Sequence, residues 1–170
     1  MTKTLIAYFS RTGENFVQGT IKGLEVGNTE IVARKIQEFT GGDLFKIDPV
    51  VPYDDDYDIC SNQARQDFQN QARPEFKNPP ATLKEYDTIY LLFPNYWNTM
   101  PMHVWTFLER YDFSNKTIKP LVTHMGSRFG TAEIDIANVC KGARVLKGLA
   151  VLGDLANDSD AKIKSWVELN

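Results

Sequence analysis

Residues 88–93 read Thr-Ile-Tyr-Leu-Leu-Phe and are stopped by Pro94. Successive side chains of an extended chain point to opposite faces, so a run this apolar needs cover on both sides. A sheet with one wet face would carry a polar residue at every second position. Strands without that alternation belong to parallel sheets enclosed by helices. Four more short runs fit the same description: Thr4–Phe9, Asp43–Ile47, Lys119–His124 and Leu146–Leu152. Helical patterns separate them at Thr29–Phe39, Cys60–Ala72, Met102–Glu109 and Thr131–Cys140, and a last one closes the chain at Asp158–Leu169. In the first, Ile31, Val32, Ile36 and Phe39 share a face, and Gly41-Gly42 ends it. Strands that alternate with helices imply right-handed crossovers and an α/β sandwich. No repeat or linker breaks the pattern, so a single domain is expected over residues 1–170.

Charge narrows the function. A net charge of -3 and a pI near 5.4 argue against nucleic acid or an anionic membrane as the main partner. The two cysteines, Cys60 and Cys140, are too few for a disulfide framework and lack metal-ligand spacing, so no metal is expected. The first apolar run is too short for a signal peptide, which makes a cytoplasmic setting the expectation.

The chemistry-bearing residues gather where the strands end. After the first strand comes Ser10-Arg11-Thr12-Gly13-Glu14-Asn15, and Gly27-Asn28-Thr29 opens the first helix. Hydroxyls, a glycine and a helix N-terminus suit a phosphate, because backbone N–H groups and the helix dipole both favour an anion. After the third strand, Pro94-Asn95-Tyr96-Trp97-Asn98 places two aromatics in a loop, where a flat ligand explains them better than a core does. After the fourth, Thr123-His124-Met125-Gly126-Ser127-Arg128-Phe129 forms a third loop whose glycine permits close approach.

These three loops together resemble the flavodoxin-like family. The family's hydroxyl-rich phosphate fingerprint, T/S-x-T-G-N-T, is matched in two halves by Ser10-Arg11-Thr12-Gly13 and Gly27-Asn28-Thr29, with a surface excursion inserted between them. An insertion of this length adds little closure entropy. The resemblance implies a sheet in the order 2-1-3-4-5 with helices on both faces. It also implies FMN as cofactor, bound at the switch point of the sheet, a rule for which flavodoxins are themselves a standard example. On that reading Ser10, Arg11, Thr12, Asn15, Asn28 and Thr29 hold the phosphate. Pro94, Asn95, Tyr96, Trp97 and Asn98 flank the isoalloxazine ring, Asn95 and Asn98 addressing its polar edge. Thr123, His124, Gly126, Ser127, Arg128 and Phe129 close on the pyrimidine side.

The resemblance implies electron transfer through bound FMN, with the chemistry carried by the cofactor. The redox partner is either a protein or a nicotinamide donor with a small acceptor such as a quinone, and the chain is a monomer or homodimer. The alternatives are an NAD(P)H-dependent quinone-type reductase of the flavodoxin-like superfamily and an FMN-binding module without turnover. Carrier flavodoxins use a backbone rearrangement in the second loop, often at glycine. Residues 94–100 contain no glycine, which leans toward hydride chemistry. A receiver-type signalling domain would need acidic residues where Ser10 and Arg11 stand and an aspartate where Pro94-Asn95 stand. Other features have plainer readings: Asp54-Asp55-Asp56 as a solvated loop, His103 as a packing residue, and Cys60 with Arg65 as structural, since a phosphatase loop requires glycine and other spacing.

Overall fold

A computed structural model describes residues 2–169. Its main sheet orders β4 (Asp43–Lys46), β1 (Thr4–Tyr8), β5 (Thr88–Pro94) and β6 (Thr117–His124) side by side, all parallel. The outer edge is shared by two short strands on β6, β7 (Arg144–Val145) and β8 (Leu149–Leu152). In terms of the five expected strands this is the order 2-1-3-4-5. Both faces are covered, and the strand residues divide by parity. Leu5, Ala7, Phe9, Ile89, Leu91 and Phe93 join one buried cluster, while Ile6, Tyr8, Tyr90 and Leu92 join the other.

The helices α1 (Asn28–Thr40) and α5 (Asp160–Glu168) cover the second cluster through Val32, Ala33, Ile36, Ile163 and Trp166. The first lies under α3 (Met102–Arg110) and α4 (Ala132–Val139), with Val104, Phe107 and Ile136 buried. The remaining helix, α2 (Tyr57–Gln69), buries only Cys60 and Ala64. Among the described residues no helix is long and apolar enough to cross a membrane.

Three local departures from the expected pattern have physical causes. The helix expected from Cys60 starts three residues earlier, because the Asp56 carboxylate accepts the Ile59 N–H at 2.9 Å and caps it. The fifth strand is split around Gly148, where a Cβ would run into the Phe129 ring and the Pro120 carbonyl. The excursion between the two halves of the first loop is an antiparallel hairpin of β2 (Gly13–Val17) and β3 (Thr20–Leu24). Gln18 and Gly19, at φ 49° and 79°, make its two-residue turn.

His103 is fully buried in α3, between Phe9 and Tyr53, each 5.3 Å away by ring centroid. Neither ring nitrogen has a hydrogen-bond partner. Burial holds its pKa down to about 4, against an ordinary 6.5. Above pH 6.5 the imidazole is neutral in both folded and unfolded chains and adds no pH dependence. As pH falls from 6.5 toward 4, the unfolded chain takes up a proton that the folded chain refuses, so stability drops, by about 2 kcal/mol at pH 5. Urea unfolding at pH 7 and pH 5 should show this loss in the native chain and not in His103→Leu. An equal loss in both would place its origin elsewhere.

Candidate functional site

A cavity of ≈450 Å³ opens at the carboxyl ends of β1, β5 and β6, the place where open α/β sheets bind ligands. All three loops contribute to its wall: Arg11, Asn15, Asn28 and Thr29 from the first, Pro94 to Asn98 from the second, and Thr123, His124 and Ser127 from the third.

One end is built for an anion. Gly27 precedes α1 and packs so closely on Ser10 and the Arg11 carbonyl that a Cβ would overlap both. Ser10 does not reach the cavity. Its Oγ instead accepts the Glu30 N–H at 3.1 Å, fixing the start of the helix to the end of β1. The first intrahelical bond runs from the Ile31 N–H to the Gly27 carbonyl. Among the described residues the amides of Asn28 and Thr29 find no protein acceptor, and both residues line the cavity, which puts the positive end of the helix dipole at its wall. The buried Thr29 hydroxyl shares a 2.7 Å hydrogen bond with that of Thr123. Thr12 is exposed and stands off the wall. Arg11 lines the cavity but spends its guanidinium on backbone carbonyls: Glu14, Asp54 at 2.8 Å and Asp55 at 2.9 Å. The acidic run is therefore a docking point for Arg11 and the cap of α2, more than a solvated loop.

The other end is aromatic. Tyr96 and Thr99 exchange backbone hydrogen bonds around a two-residue turn, with Trp97 at φ 52° and Asn98 at φ 71°. Positive φ costs a bulky residue energy, and here it turns the Trp97 indole toward α2. Its N–H donates to the Ser61 carbonyl at 3.0 Å, and the Arg65 guanidinium sits 5.9 Å from the ring centre. The indole remains 42% exposed. Tyr96 packs edge-on against Phe9. Asn95, also in the cavity wall, ties two loops together. Its amide donates to the Arg128 carbonyl at 2.8 Å and accepts from the Asn98 N–H at 3.0 Å, locking the second loop to the third.

The third loop divides. Thr123, His124, Met125 and Ser127 face this cavity, whereas Gly126 and Arg128 line a neighbouring one. Phe129 is buried in the core against Phe93. Of the residues expected at the ligand, Ser10, Thr12 and Phe129 line neither cavity, and Gly126 and Arg128 line the neighbouring one.

The sequence reading missed one wall. Tyr57, Cys60, Ser61 and Ala64 of α2 face the cavity, as do Phe16, Met125 and Gly153. Spacing i, i+3, i+4, i+7 marks the α2 residues as one helical face, a signal hidden by starting the helix at Cys60. Burial pushes the Cys60 thiol pKa up, partly offset by Arg11, so the thiol stays protonated and supports no nucleophilic role.

A flat heterocycle with a terminal phosphate fits this arrangement. The chain belongs to the flavodoxin family: the family model described as Flavodoxin matches residues 3–170. A solved candidate flavoprotein from Bacteroides uniformis is 30% identical, with 98% of each chain covered and a TM-score of 0.75. A flavoprotein from Lactobacillus acidophilus, solved in complex with FMN, shares the fold at 20% identity and TM-score 0.66, with 97% of this chain and 99% of that one covered. Oxidised Flavodoxin 2 from Bacillus cereus does so at 16% identity and TM-score 0.56, with 98% and 95% covered. No match was found among curated proteins.

Gly27→Ala should cost about 1–3 kcal/mol of stability, the usual range for overpacking, because the added methyl must displace Ser10 and Arg11 from the head of α1. Thermal or urea unfolding measures it. Native stability in the variant would show that the junction is looser than described.

Proposed function

We propose that the cavity holds FMN, with the phosphate on the Asn28 and Thr29 amides and the ring at the Trp97 end. The carrying observation is the pairing of an unsatisfied helix N-terminus with an aromatic turn in the wall of one cavity. Its ≈450 Å³ lies within the range of about 300–1,000 Å³ that small-molecule sites occupy. Bound FMN supplies the redox chemistry. The chain's own residues orient and shield it: the α1 amides fix the phosphate, Phe16 and α2 wall one side, and the Asn95 network holds the two ring loops at a constant separation.

Electron transfer to and from a partner is the function this arrangement supports. Trp97 and Met125, 42% and 43% exposed, leave the ring end open to solvent, giving a redox protein or a nicotinamide donor access to the edge of the ring. The turn at Trp97-Asn98 reaches positive φ without glycine. The missing glycine therefore does not disqualify a carrier. One domain over the whole chain and a cytoplasmic setting complete the proposal; the two buried unpaired thiols suit a reducing compartment.

Mass spectrometry of the cofactor released after reconstitution should identify FMN, and FMN should bind more tightly than riboflavin. Thr29→Val should weaken FMN by about 1–3 kcal/mol, the worth of a hydrogen bond to a charged group, while leaving riboflavin affinity unchanged. Recovery of FAD, or equal losses for both ligands, would contradict the assignment.

A further inference from the structure

Behind the third loop lies a second cavity, of ≈310 Å³, bounded by β8, the 3-10 turn Gly153–Asp158 and the first turn of α5. Part of its wall is apolar, at Ala150, Val151, Leu152 and Leu155. Another part is basic, at Arg128 and Lys162, with Asp158 the one carboxylate among the lining residues. His124 lines both cavities and forms the partition between them.

The two cations have donors to spare. Lys162 gives one N–H to the Ala150 carbonyl at 3.1 Å, which leaves two on the ammonium. Among the described residues the Arg128 guanidinium makes no hydrogen bond or ion pair; only the Arg128 backbone carbonyl is engaged, by Asn95. Both charges are felt at the partition. The His124 imidazole is held below its ordinary pKa first by burial, then by Arg128 and Lys162. Its Nδ1 accepts the Gly126 N–H at 2.9 Å, so the neutral ring carries its proton on Nε2.

We propose that this second cavity binds a small organic anion, a carboxylate or phosphate on a short apolar body. Arg128 and Lys162 take the anionic head, while Leu152 and Leu155 cover the body. Cations beside an unfilled apolar wall are what such a ligand requires, whereas a bare inorganic anion would leave that wall wet. The site stands whether or not flavin fills the first cavity.

The chain has two histidines, His103 and His124, which makes the test compact. The full chain, with and without flavin, is titrated with benzoate, phenyl phosphate and inorganic phosphate while the imidazole NMR signals are followed. Benzoate or phenyl phosphate should shift His124 in a saturable manner and leave His103, sealed between Phe9 and Tyr53, unmoved. The tighter of the two identifies the head group. Lys162→Gln should weaken that binding at least tenfold and Leu155→Asp should abolish it, both with unchanged melting temperature and flavin absorbance. The proposal is overturned by a His124 signal that does not move, by both histidines moving together, by inorganic phosphate binding as tightly as phenyl phosphate, or by a Lys162→Gln chain that binds normally. Failure of flavin uptake alone would bear on the first cavity and not on this one.

Discussion

The structure depends on one junction, where the start of α1 is pinned to the end of β1. Ser10 Oγ accepts the Glu30 N–H, and Gly27 is pressed against Ser10 and Arg11 too closely for any side chain. That contact aims the helix axis at the cavity and leaves the Asn28 and Thr29 amides as its free donors. Without it the two halves of the fingerprint would be separate turns. With it they meet at the head of α1, although a hairpin stands between them.

The hairpin is integrated rather than merely tolerated. At its base the Glu14 N–H donates to the Asp55 carbonyl at 3.0 Å, and the Glu14 carboxylate accepts the Tyr57 N–H at 2.8 Å. At its tip the Gln18 N–H donates to the Asp154 carboxylate at 3.0 Å. The insertion therefore bridges α2 and the 3-10 turn, and it carries Asn15 and Phe16 into the cavity wall. Arg11 adds a third tie through the Asp54 and Asp55 carbonyls. On the far side, Asn95 joins the second and third loops while Thr99 and Thr131 both donate to the Asp135 carboxylate, at 2.6 and 2.8 Å. The cavity is thus framed by short-range bonds at each loop, all resting on a sheet buried on both faces.

Legibility in the sequence followed hydrophobic contrast. Strands such as Thr88–Pro94, apolar at both parities, declare themselves because burial on two faces leaves no polar alternation to confuse them. The hairpin strands were unreadable for the opposite reason: none of their residues is buried, so Gly13–Val17 and Thr20–Leu24 carry no period, and only Gln18-Gly19 hints at a turn. The site divided along similar lines. Residue type and placement after a strand picked out Asn28, Thr29, Trp97 and Thr123, which all line the first cavity. Side-chain direction was hidden, which is why the Asn95 amide turned out to hold the Arg128 carbonyl, Phe129 to be buried and Arg128 to line the second cavity. The α2 face, made of Tyr57 and the small side chains of Cys60, Ser61 and Ala64, needed the Asp56 cap to be seen first.

The central claim is that the α1 amides, with Thr29, hold a phosphate. Amide proton–nitrogen NMR spectra of the chain, recorded with FMN and then with riboflavin, test it directly. Large downfield shifts of the Asn28 and Thr29 amide protons are expected with FMN and not with riboflavin, as these donors engage a charged acceptor. Equal shifts with both ligands, or none with FMN while the Trp97 region responds, would contradict it.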